Sequence, residues 1–93
     1  MILVQQKFNI PIQTFCVVST IGDFTPVRFR YEESDHSIIT VKINEILSHS
    51  DTDFAGVHEL HFTCSAMVDD EFKIFELKYN VPHHKWSFVQ LLN

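Results

Sequence analysis

The sequence predicts an all-β domain, an antiparallel meander of five or six strands rolled into a small barrel or a strongly curved sheet. Large apolar residues recur at every second position through most of the chain, which is the period of a strand with one face in a core. Short polar breaks with turn chemistry separate these runs at hairpin spacing. Residues 71–92, EFKIFELKYNVPHHKWSFVQLL, combine both features and read as a closing hairpin. Phe75, Leu77 and Tyr79 share one parity there, with Lys73 at its start, and Glu76 and Lys78 take the other. A helix would scatter the same residues around its circumference.

Taken in order, residues 1–9 open apolar at Ile2, Leu3 and Val4 and turn polar through Gln5, Gln6 and Lys7. That composition fits an extra edge strand, a dimer contact or a tail. Residues 10–19, IPIQTFCVVS, are rich in β-branched and aromatic side chains and form the first strand, with Pro11 at its entry. Gly22, Asp23 and Pro26 supply turn chemistry. The second strand spans 27–32, with Val27, Phe29 and Tyr31 on the core side and Arg28, Arg30 and Glu32 outside. After a polar turn at 33–37, a third strand from Ile38 puts Ile39, Val41 and Ile43 inward. Residues 44–56 admit two forms: an extension of that strand running into a loop, or a short helix near 46–51 in an α+β fold. The fourth strand, 57–68, sets His58, Leu60, Phe62, Cys64, Ala66 and Val68 on one face, and Glu59, His61, Thr63 and Ser65 on the other. Asp69-Asp70 turns the chain into the closing hairpin. Beyond Pro82, Trp86 and Phe88 fall on one face, and Val89 and Leu91 on the other.

The 93 residues make one domain, 1–93, with no linker or internal repeat. A chain this short buries only about 60 to 65% of its unfolded surface, so each large side chain matters. Nine Phe, two Tyr and one Trp supply the core, while two Gly and three Pro are too few for disorder. Seven basic against twelve acidic residues give a net charge of −5, which favours solubility over non-specific binding to phosphate backbones. Cys16 and Cys64 both sit among apolar strand neighbours, where a free thiol behaves as a small buried hydrophobe. Residues 1–12 lack the pattern of a signal peptide, and no apolar run approaches the roughly 20 residues that cross a bilayer. A reduced, cytoplasmic protein without membrane contact is expected.

The segments Gly22-Asp23-Phe24-Thr25-Pro26-Val27-Arg28-Phe29, Phe54-Ala55-Gly56, Phe62-Thr63-Cys64, Phe75-Glu76-Leu77 and Lys85-Trp86 occur in an order that resembles one known group. It is a family of small, single-domain, uncharacterised bacterial proteins of about this length, β-rich and ending near a tryptophan. The resemblance covers about residues 10–92 and implies a bacterial, cytoplasmic origin. The family has no established activity, so it carries no site to this chain. Where it shows a double glycine after the loop, this chain has Gly56-Val57.

Six histidines, His36, His49, His58, His61, His83 and His84, raise the question of a metal. His58 and His61 are three apart and so face opposite sides of a strand, and His83 and His84 lack a third ligand nearby in sequence. No metal or cofactor is expected. Asp51, Asp53, Asp69, Asp70 and Glu71 lack the alternating ligand spacing of a calcium loop and read as solvated turns. Cys64, with His61 or His58, is the one candidate nucleophile, but it faces the core, where a thiolate is disfavoured. Arg28, Arg30, Lys42 and Lys78, with Lys85, could form a basic stripe on the outer face, beside Glu32, Glu59 and Glu76 that could neutralise it. The apolar residues Ile2, Leu3, Val4, Val89 and Leu91 exceed what one curved sheet must bury, and such surface usually finds a partner. The expectation is a non-enzymatic interaction or regulatory module that forms a homodimer through its terminal strands. The alternatives are a nucleic-acid-associated module using the basic stripe, or a ligand carrier or small enzyme with a pocket at a barrel mouth near His58 or His61.

Overall fold

A computed structural model describes residues 7–93. Among them the chain forms seven β-strands and no helix: β1 (Lys7–Val18), β2 (Phe24–Glu32), β3 (Ile38–Lys42), β4 (Glu45–Phe54), β5 (Val57–Val68), β6 (Glu71–Asn80) and β7 (Lys85–Leu91). All pairings are antiparallel, in the order β3-β2-β1-β7-β6-β5-β4. Two meanders, β1 to β3 and β4 to β7, therefore share one sheet, joined where β1 meets β7. The sheet curls into a half-barrel. Its rim is drawn in where the chain crosses from β3 to β4, because Ile43 N–H donates to the Val27 carbonyl (3.0 Å) and Asn44 N–H to the Ser65 carbonyl (2.7 Å).

The two-residue rhythm sends the expected rings inward. Phe29, Phe62, Phe75 and Tyr79 are buried with Val41, Ile43, Cys64, Ala66 and Leu77. Phe29 meets Phe75 edge-on at 5.5 Å, and Phe75 stacks on Phe88 at 5.6 Å. Trp86 lies 4.9 Å from Tyr79 and 5.6 Å from Phe62. Such pairs contribute about 0.5–1.5 kcal/mol each beyond the area they bury.

The departures from the expected parity at Val27 and Leu91 have one cause, the β-bulge, which recurs at Leu47. Opposite the Phe15/Cys16 step, Val27 is the extra residue, so it is half exposed while Pro26 turns inward and is fully buried. β2 accordingly starts at Phe24, and Pro26 sits inside it at the irregularity, where a missing donor costs least. Leu47 is the extra residue between Ile46 and Ser48, and Val89 the one opposite the Glu76/Leu77 step. The Val89 bulge turns Leu91 to the core side, opposite Phe75, and corrects its expected outward face.

Other corrections follow from pairing. Residues 45–54 form a full strand against β5, which excludes the short helix near 46–51 and accounts for the extra strand. Cys16 is exposed rather than buried. Ser65, on the outer parity, is nonetheless buried where the crossing chain meets β5. Residues 1–6, including Ile2, Leu3 and Val4, lie outside the described residues; Lys7 and Phe8 already belong to β1. The terminal strands are not edges: β7 lies between β1 and β6, and the ends of the sheet are β3 and β4.

The hairpins end in left-handed residues. Asp69 (φ 52°) and Asp70 (φ 64°) make the two-residue β5–β6 turn, and Ala55 (φ 52°) and Gly56 (φ 81°) the β4–β5 turn. This primed geometry matches strand twist and suits Asn, Asp and Gly, whereas alanine pays about 1–2 kcal/mol in the left-handed region. Ala55→Asn should therefore raise stability by up to about 1 kcal/mol in urea unfolding. Leu77→Ala, at a fully buried position, should cost about 2–5 kcal/mol in the same assay. A loss under about 1 kcal/mol would contradict a core centred on β6.

Candidate functional site

The curled sheet offers two differently charged outer surfaces and two openings. On the outer face of β1–β2–β3, Arg28 lies opposite Phe15 on one side and Lys42 on the other, and Arg30 lies opposite Gln13 and Thr40. The guanidinium carbons of Arg28 and Arg30 sit 4.7 and 5.5 Å from the centre of the Phe15 ring. Arg30 Nε donates to Gln13 Oε1. Among the described residues, no carboxylate lies within ion-pair distance of Arg28, Arg30 or Lys42. Glu32, the nearest acid along β2, is tied to His36 at 2.8 Å. Three members of the predicted stripe thus come together.

Lys78 does not join them. It stands on β6, with β7 and β1 between it and β2, and it pairs with Glu59 at 3.6 Å. Around it runs a hydrogen-bonded polar row in which the expected Glu59, His61 and Glu76 are joined by Thr52 and Gln90. His61 Nδ1 lies 3.0 Å from Glu76 Oε2, and His61 Nε2 lies 3.2 Å from Thr52 Oγ1. Gln90 Nε2 donates to Glu76 Oε1 at 2.7 Å. The order hydroxyl, imidazole, carboxylate is that of a hydrolytic triad. Acyl transfer also needs donors aimed at the developing oxyanion. Strand amides point in the plane of the sheet rather than along its side chains, so the ladder cannot supply them above Thr52. The row instead keeps its hydrogen bonds satisfied along a shallow surface depression shared with Ser48, Ser50 and Thr63. Thr52 was invisible in sequence because β4 showed no strand period.

The β1–β2, β4–β5 and β6–β7 turns gather at one end of the half-barrel. Between Gly22–Thr25 and β4–β5 lies a cleft of about 670 Å³, floored by Phe24, Leu60 and Phe62 and edged by His49, Asp51 and His58. His58 Nε2 is 3.3 Å from Asp51 Oδ2. His58 and His61 face opposite sides, and no group of three or more metal-ligating side chains assembles among the described residues. The other end holds an apolar cavity of about 260 Å³ between Ile10, Phe29, Tyr31, Phe75 and Leu91. Burial, with the charges of Glu33 and Asp69 nearby, raises the Tyr31 phenol above its ordinary range.

Cys64 faces the core between Ile46 and Phe75 and is fully buried. Burial pushes its thiol from 9.0 up to about 12. The unfolded chain gives up this proton above pH 9.0 while the folded chain keeps it, so stability should fall as pH rises from 9.0 toward about 12. That decline should be shallower in Cys64→Ala. Iodoacetamide at pH 8 should label exposed Cys16 and spare Cys64, and equal labelling by peptide mass mapping would contradict the burial.

No helix among the described residues is long and apolar enough to cross a membrane. No protein-family model matches the chain, and no curated protein or solved structure matches it.

Proposed function

We propose that the chain is a small, non-enzymatic β-domain of the bacterial cytoplasm that works as a self-associating interaction or regulatory module, paired as a homodimer. The observation that carries this is the apolar rim of the open end. Ile21, at the β1–β2 turn, is 83% exposed, and Phe54, at the β4–β5 turn, is 81% exposed. Val17, Val18 and Val57 extend the same rim. Leaving such side chains in water contributes nothing to folding, whereas covering each one on association is favourable by about 1.5–3 kcal/mol at full burial.

A second copy suits this surface because each copy brings the same pair of apolar tips, as a two-fold interface requires. Among the described residues β4 ends the sheet and adds an unpaired backbone edge beside Phe54. This contact lies at the open end; the expected one through the terminal strands involves Ile2, Leu3 and Val4, outside the described residues. The buried thiol of Cys64 supports a role without covalent catalysis, because its reactive form is suppressed.

Sedimentation equilibrium should find a dimer at micromolar concentration. Ile21→Ser with Phe54→Ser should weaken it at least about tenfold, the equivalent of ~1.4 kcal/mol, without lowering the melting temperature. A wild-type chain that stays monomeric across the micromolar range would overturn the proposal.

A further inference from the structure

We infer that the outer face of β1–β2–β3 is a docking platform for single-stranded nucleic acid, built from Phe15, Arg28, Arg30 and Lys42. It uses residues other than those proposed for self-association.

The first support is electrostatic. Arg28 stands directly opposite Lys42, an arrangement that is destabilising for like charges on neighbouring strands. Elsewhere the chain avoids this: Lys73 pairs with Glu71 at 3.6 Å and Lys78 with Glu59 at 3.6 Å. Here, among the described residues, no carboxylate answers any of the three cations. Three of the seven cationic residues in a chain of net charge −5 are thereby concentrated on one three-strand face. An anion is the missing complement.

The second support is shape. Phe15 is 38% exposed on this face and holds both guanidinium groups against its ring, and Gln13 fixes Arg30 from the side. The two guanidinium groups are therefore held near the sheet rather than trailing in solvent. Arg28 and Arg30 are two residues apart on one strand, about 6.7 Å at strand rise, so they can meet neighbouring groups along an extended chain. Guanidinium planes and aromatic rings stack on bases, and only a single strand presents base faces to a flat sheet. An acidic peptide offers the charge without the planar rings. A duplex offers the charge with its bases hidden, and sets a long anionic rod beside the acidic remainder of the chain.

The test is fluorescence anisotropy with a labelled 12-nucleotide oligo(rA) at 50 mM salt, using the full chain. Binding should weaken with salt on a log–log slope of about −2, from three phosphate contacts at about 0.7 each. Arg28→Gln with Arg30→Gln should lower affinity at least tenfold, and Lys42→Gln, on a separate strand, should lower it while flattening the slope. Phe15→Leu should cost about fivefold or more at an unchanged slope. Lys78→Gln should change nothing. Circular dichroism melts of each variant confirm that these surface changes leave the fold intact. Absence of binding at 50 mM salt would overturn the proposal. So would heparin or poly-glutamate binding as tightly as the oligonucleotide, or an oligonucleotide affinity indifferent to the double arginine change.

Discussion

β1 serves two partners in turn. Its first half, at Lys7 and Ile10 to Ile12, pairs with β7, and its second half, at Gln13 to Val18, pairs with β2. This handover joins two meanders that would otherwise be separate, each with one open face. It requires residues near the two ends of the chain to meet, and the entropic cost of closing so long a loop grows only with the logarithm of its length. The return is the meeting of Phe29 from the first meander with Phe75 and Phe88 from the second. Asn9, at φ 46°, marks the irregularity between Lys7 and Ile10. A bulge there adds local twist and bends the strand, as a curled sheet needs.

The same bulges set the limit of what was legible in the sequence. Where the ladder is regular, as in β3, β5 and β6, alternation gave the inward residues correctly, because a side-chain period of two survives as long as the register does. A bulge inserts one residue and moves the following inward positions three apart. Pro26 and Phe29 are both buried, with Val27 as the extra residue between them, and Ile46 and His49 both face the cleft side across Leu47. Spacing of three is also a helix signature, which is why residues 46–51 could be read as one. At Val89 the same insertion returned Leu91 to the core and removed it from the apolar excess that had pointed to the terminal strands. Local composition also misled at Cys16, whose apolar neighbours Val17 and Val18 lie on an exposed hairpin rather than in a core.

The candidate surfaces were legible only in part, for a different reason. Sequence parity says which face a side chain takes but not which strands are neighbours. Arg28, Arg30, Lys42 and Lys78 share the outer parity, yet strand order gathers the first three and sends Lys78 to β6 beside Glu59. The cross-strand carboxylates that could have neutralised the stripe, Glu59 and Glu76, went with Lys78 and His61. Phe15 escaped notice because a lone phenylalanine in an apolar run reads as core. Its outward position depends on facing Arg28 across the β1–β2 ladder.

A single curled sheet, with no helix among the described residues to cover it, has one interior, and rings from four of the seven strands fill it: Phe29, Phe62, Phe75, Tyr79, Trp86, Phe88 and, beside them, Phe24. Function must then be carried by the outer face or by the ends. The outer face solves the same solvation problem in two ways. Over β5 and β6 it sets Lys78 beside Glu59 and Lys73 beside Glu71, which limits repulsion. Over β1, β2 and β3 it sets Arg28 opposite Lys42 and stacks Arg28 and Arg30 on the half-exposed ring of Phe15. Neither folding nor solubility requires the second arrangement, since a glutamate opposite Arg28 would serve both better. The open end repeats this contrast in apolar terms, with Ile21 and Phe54 in water while smaller side chains such as Ala66 are buried. Both places are where the chain forgoes local stability, one in charge and the other in apolar burial.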